Sequence, residues 1–207
     1  MTEAPKASRR EIFGWSMFDF ANQAYTLLII SVIFGDLYVR VIVGGAPDHR
    51  LGNLLWSAAL CLSYAIVVIT APLLGAIMDA TQTRKKMLFA SYALTVISTA
   101  LLYFVAPGAI WLGFILIVVS NAGYAIGESI IASFLPFLGS TRDLGRISGL
   151  GWATGYAGGL VAAGFALVVL GETSLENFDR VRWVGPFAAA FFLLAALQVV
   201  RISVRTG

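Results

Sequence analysis

Long apolar stretches, each near the length needed to cross a bilayer, recur along this chain and leave few architectures open to it. A span takes about 20 mainly apolar residues to cross ~30 Å of hydrocarbon. Six such stretches are present, at Phe13–Val43, Leu51–Met78, Met87–Val105, Ile110–Phe137, Ile147–Leu170 and Trp183–Val204. Only 12% of the 207 residues are charged and 59% are hydrophobic. Soluble domains carry about 25% charge, so this chain could not cover a water-facing surface. The expected fold is therefore all-α and polytopic: one bundle of six transmembrane helices over residues 1–207. Lys6, Arg9 and Arg10 precede the first apolar stretch, as in a signal peptide. That stretch is too long, contains Asp19 and lacks a small-residue cleavage site, so it reads as an uncleaved span. The connections are short, which predicts that consecutive helices are antiparallel neighbours.

The net charge is +3, and the basic residues flank the apolar stretches, a pattern of membrane orientation and not of nucleic-acid binding. With a cytoplasmic N-terminus, the inner segments hold Lys6, Arg9, Arg10, Arg84, Lys85, Lys86, Arg142, Arg146, Arg201 and Arg205, and the outer side holds Arg40, Arg50, Arg180 and Arg182. That split follows the positive-inside rule and places both termini in the cytoplasm. Trp15 and Trp152 fall near inner ends of spans, and Trp56, Trp111 and Trp183 near outer ends, as headgroup-level anchors would. Asp36 and Arg40 lie four apart and are expected to pair at the outer interface. Cys61 and His49, each the single residue of its type, have no companions at metal-ligand or disulfide spacing, so neither a metal nor a cofactor is expected.

Ionisable groups are costly inside a membrane and usually functional. Asp19, Asn22, Gln23 and Thr26 recur at i, i+3, i+4 and i+7 of the first span and share a face. Asn121, Tyr124 and Glu128 repeat the pattern on the fourth. These faces either line a cavity or bond helices together. By ~1.5 Å rise per residue, Asp19 and Glu128 lie within ~5 Å of one depth, so both carboxylates are candidates for one inner cavity. Either one of them exchanges protons during transport, or each is a carboxylate held for packing. Gly151, Gly155 and Gly159, continued by Ala163, form a small-xxx-small stripe on the fifth span. Such a stripe admits a closely packed helix, or a hinge.

Gly75-Ala-Ile-Met-Asp79, followed by Arg84-Lys85-Lys86, resembles the loop between spans two and three of the major facilitator superfamily. Gly75, Asp79 and Arg84 match. Ala80 stands where a basic residue is usual, and Gln82 where a second glycine is. The stretches Trp15–Tyr25, Ser148–Gly159 and Phe134-Leu-Pro136 are similar to the branch containing the autophagy-related vacuolar amino-acid effluxers and their bacterial relatives. Phe137 replaces the acidic residue usual after that proline. The resemblance covers nearly the whole chain but only the N-terminal six-helix half of the family fold. It implies two inverted three-helix repeats, with spans one and four lining the substrate path. It implies that Gly75 permits close helix contact and that Asp79 and Arg84 belong to a gate linking two halves. It also implies a helix of a second six-helix half as the partner of the Gly151–Gly159 stripe, and a bacterial inner membrane as the location.

The leading expectation is a secondary transporter of a small solute, which the resemblance implies to be amino acids or related metabolites, working by alternating access with a second half. That half is a continuation of the same protein, a separate chain or a second copy; the end at Arg205-Thr-Gly207 suits truncation. The alternatives are a scaffold whose polar faces are packed shut, and half of a drug-efflux antiporter. The antiporter signature matches less well, because Tyr156 replaces its proline. Enzyme chemistry has no support: the chain has no HExxH, GxSxG, paired His or GxxxxGK[ST], and Ser129 and Ser133 beside Glu128 lack a base.

Overall fold

A computed structural model of the chain describes residues 7–45 and 47–199, with side chains up to residue 194. The last residues expected in the sixth span, 200–204, lie outside the described residues, as do Lys6, Arg201 and Arg205 of the charge count. The chain is a polytopic helical membrane protein, and its helices match the apolar stretches. They are α1 (Arg9–Val43), α2 (Arg50–Thr81), α3 (Arg84–Phe104), α4 (Ile110–Phe137), α5 (Leu144–Leu170) and α6 (Val184–Val199).

Local chemistry sets the ends. Ser8 accepts from the Glu11 amide while the Glu11 carboxylate accepts from the Ser8 amide, a capping box that starts α1. Gly44 at φ 69° and Gly171 at φ 71° stop α1 and α5 in a conformation that glycine takes without a steric penalty. Within α1 the helix widens to π-type turns over Thr26–Val32 and Tyr38–Val43. The first of these begins where the polar face ends.

The packing order differs from the chain order. Among consecutive spans only α3 and α4 pack along their length. α1 lies against α5 and α6, α4 against α2 and α3, and α3 also against α6. The expectation that consecutive helices are neighbours is therefore corrected. Lipid tails are as apolar as Leu, so helices associate where small residues let backbones approach, and not where loops are short. Such places join distant spans here as well as consecutive ones, where Gly52 meets Val39 and Gly123 meets Thr95. A Cβ at Gly158 would meet the Phe20 Cα at 3.0 Å, and one at Gly185 would meet the Thr99 carbonyl oxygen at 2.7 Å.

The same contacts correct the partner of the glycine stripe. Gly151 and Gly155 face Trp15, Asp19 and Gln23, so the stripe docks on α1 of the same bundle and not on a helix of another half. Its third close member is Gly158, while Gly159 sits at the edge with only an ordinary contact to Gln23. A helix has ~3.6 residues per turn, so a straight stripe follows 151, 155 and 158 better than 151, 155 and 159. Trp15 is also corrected. It is buried, and its indole N–H donates to the Ile131 carbonyl at 3.1 Å, so it clamps α1 to α4 instead of marking the headgroup level. Trp111, Trp152 and Trp183 remain exposed.

Gly158→Val should lower stability by about 1–3 kcal/mol, the usual cost of overpacking, because the atoms it meets are backbone. Gly159→Ala should leave stability unchanged. Thermal unfolding of the two variants in detergent checks this pair.

Candidate solute-path site

α1 and α4 are joined by side chains at several levels. Towards the N-terminal end of α1, Trp15 binds the Ile131 carbonyl. Further along, the Thr26 and Tyr124 hydroxyls lie 3.1 Å apart, and those of Tyr25 and Ser120 lie 2.8 Å apart. The Tyr25 and Tyr124 rings stack at 4.6 Å between centroids. Asp19 and Glu128 fall between the Trp15 and Thr26 levels, one on each helix. They interact electrostatically as like charges, and Asp19 also acts on Tyr92 and Tyr124.

The polar face of α1 is not sealed. Asp19, Gln23 and Thr26 are half-buried, and Asn22 is 5% exposed with its side-chain oxygen lacking any partner. Thr26 is tied to the Asn22 carbonyl and to Tyr124. The residues of the α4 face diverge. Glu128 is exposed and Tyr124 meets α1, but Asn121 is fully buried and its amide donates to Ser63 of α2 at 2.6 Å. Asn121 thus bonds helices together, while Asp19 and Glu128 remain without an ion pair among the described residues.

Sequence reasoning passed over four contributors: Tyr25, Ser63, Tyr92 and Phe192. The Phe192 ring of α6 lies 4.9 Å from Tyr92 and 6.3 Å from Tyr25, joining α1, α3 and α6 in one aromatic cluster. Tyr92 had a legible signal. Ser91, Thr95 and Ser98 repeat at i, i+4 and i+7 and mark the inward face of α3, all three of them buried.

The residues expected to form a gate flank the α2–α3 connection, with Gly75 and Asp79 near the end of α2 and Arg84 at the start of α3. Arg84 pairs with Asp79 at 2.5 Å, and its guanidinium lies 5.7 Å from the Phe137 ring centroid of α4. Gly75 has no neighbour within 4 Å of where a Cβ would stand, so its small face is open. At the opposite end Asp36 pairs with Arg40 at 2.5 Å, as expected, and also accepts from Thr173 in the α5–α6 connection.

These features define a multi-span helical membrane protein with polar faces on α1 and α4. The family model of the Atg22-like vacuole effluxers matches residues 57–202, and the chain belongs to that family. It is 24% identical over 184 residues to an uncharacterised transporter of the major facilitator type, YxiO of Bacillus subtilis (strain 168), a match covering 88% of this chain. The match takes in 42% of that relative, so the chain spans less than half its length. No solved structure matches the chain.

Ser63→Ala should cost about 1–3 kcal/mol, because it leaves the buried Asn121 amide without an acceptor. Adding Asn121→Leu should recover much of that loss, since both polar partners are then gone. Thermal midpoints of the single and double variants decide it.

Proposed function

We propose that this chain is one half of a secondary transporter that moves a small solute across the membrane by alternating access, and not an enzyme. The observation that carries this reading is the unsealed face of α1 and α4. A scaffold would pack its polar residues shut, whereas Asp19, Gln23 and Glu128 keep accessible surface. The family's resemblance to vacuolar effluxers supports amino acids or related metabolites as the solute class.

The two-repeat architecture has its own support. Exchanging α1–α3 with α4–α6 turns the α1·α5 contact into α4·α2, turns α1·α6 into α4·α3, and leaves α3·α6 in place; all five are principal packings of the bundle. An odd number of spans per repeat makes the two repeats inverted. The exchange also relates α2 and α5, which bury the least of their apolar length among the first five spans. We assign these two helices to the seam with a second six-helix half. On α5 a second small-residue stripe supports this, with Gly145, Gly149, Ala153 and Ala157 four apart and all exposed. On α2, open Gly75 lies beside the Asp79–Arg84 pair. The second half thus covers the outward face of α5, while α1 already occupies its inward one.

Both termini are assigned to the cytoplasm, in a bacterial inner membrane, from the distribution of basic residues. Reporter fusions at residues 48 and 143 should report outside and inside respectively; residue 143 outside would overturn the orientation. We assign proton exchange to Glu128, which lies near the level of Asp19 and one turn from Tyr124 on α4. In proteoliposomes, Glu128→Gln should abolish the dependence of solute flux on a pH gradient. Flux that keeps its full pH coupling in this variant removes Glu128 from that role.

A further inference from the structure

Away from the Asp19–Glu128 level, the second half of α1 and the start of α2 enclose a half-open cleft of about 360 Å³. Asp36 and Arg40 of α1 line it, with Asn53 and Trp56 of α2 and His49 in the turn between them. Asp36 lies 17 residues from Asp19, or ~25 Å along α1, so this cleft is separate from the site described above. By the orientation assigned to the chain it lies on the outer side of the membrane. The Nε–H of Arg40 donates to one Asp36 oxygen at 2.5 Å, and the other Asp36 oxygen accepts from Thr173 of the α5–α6 connection. The pair is thereby held from two sides. The His49 Nδ1 is enclosed and has no partner among the described residues.

The ion pair keeps capacity for a ligand. A guanidinium has five N–H donors and a carboxylate about four acceptor positions. Among the described residues one of those donors and two of those acceptors are engaged. Arg40 retains 59% of its side-chain exposure, so its remaining donors are accessible. The cleft therefore presents a positive and a negative group side by side at a fixed spacing. A solute with one charge meets one of them favourably and is repelled by the other. A solute whose ammonium and carboxylate share one carbon can lie antiparallel to the pair. Its carboxylate then meets the guanidinium fork, the geometry such forks match best, and its ammonium meets Asp36. Discrimination of this kind comes from the repelled partner as much as from the attracted one.

We propose that this cleft is a second binding site, which takes the zwitterionic end of an α-amino acid at the outer face of the protein. The inference rests on the transporter reading for its solute class and adds a place where that solute is first held. Every group it invokes belongs to this half. Asn53 and the His49 imidazole add polar groups on the α2 side, each able to donate or accept. Ile30, Val32 and Trp56 supply an apolar wall beside the pair, which suits an aliphatic side chain of leucine size. An ammonium and an anionic oxygen a few bonds apart also occur in the headgroup of phosphatidylethanolamine. The free amino acid is the occupant assigned, and the lipid is the alternative that the test separates.

Leucine and two of its fragments test this on the protein at the full length its gene encodes, purified in detergent at constant ionic strength. 3-Methylbutan-1-amine is leucine without the carboxylate, and 4-methylpentanoic acid is leucine without the amine. Calorimetry should show leucine binding at least tenfold tighter than either fragment. A fragment that matches leucine overturns the proposal, and that comparison needs no variant to fold. Arg40→Gln and Asp36→Asn should each weaken leucine at least tenfold; unchanged binding in both overturns it. Leucine should also alter the tryptophan fluorescence, and Trp56→Phe should remove that response. A response that persists in Trp56→Phe places the leucine elsewhere and overturns the site. Phosphatidylethanolamine that displaces leucine from the detergent-purified protein gives the cleft to a lipid headgroup and overturns the amino acid as its occupant. Proteoliposome flux separates this site from the transporter reading. Leucine held at the cleft but never carried across leaves the site and sinks transport. Leucine carried by Arg40→Gln at an unchanged KM leaves transport and sinks the site.

Discussion

The approach of α5 to α1 sets the geometry on which the rest depends. At Gly158 the α5 backbone lies so near Phe20 that a single methyl group would collide with main chain. In lipid, apolar surface gains little by touching other apolar surface, so association relies on close backbone contact and on hydrogen bonds. Holding α1 against α5 fixes the rotation of α1. Fixed that way, Trp15 reaches Ile131, Tyr25 reaches Ser120 and Thr26 reaches Tyr124. Asp19 and Glu128 are then held at one level.

The two polar helices perform different tasks along their length. Their deeper part is bonded shut through Tyr25–Ser120, Thr26–Tyr124 and Asn121–Ser63. Their shallower part keeps its charges unpaired. Hydrogen bonds between helices stiffen that deeper section, where the Asn121 side-chain oxygen alone of these groups lacks a partner, whereas an unpaired charge in low dielectric retains a strong affinity for a partner. The paired section therefore acts as a fixed floor beneath the level of the two carboxylates. The π-type turns of α1 begin at Thr26, at that floor, where widened turns recur at functional sites.

Much of the fold was legible beforehand because the bilayer imposes a length rule on every span. Five observed helices cover the expected apolar stretches to within a few residues, and α6 follows the sixth to the limit of description. Less of the site was. Helical periodicity found Asp19, Asn22, Gln23, Thr26, Asn121, Tyr124 and Glu128, yet it could not separate a residue facing an opening from one facing Ser63 of another span. It missed Tyr92 and Phe192, whose importance comes from where α3 and α6 are placed.

Sequence alone determined the number and extent of the spans, the asymmetry of basic charge, the small-residue stripe of α5 and the two acid-bearing helices. Each of these follows from local composition, because hydrophobic length and helical period are properties of a single segment. Tertiary structure decided which helices touch. It gave the Gly151–Gly158 stripe to α1, buried Trp15, turned Asn121 towards α2 and left the Asp19 and Glu128 carboxylates without an ion pair among the described residues. Those outcomes depend on close approaches between residues 58 or more positions apart, and no periodicity within one helix encodes the rotation of its neighbour.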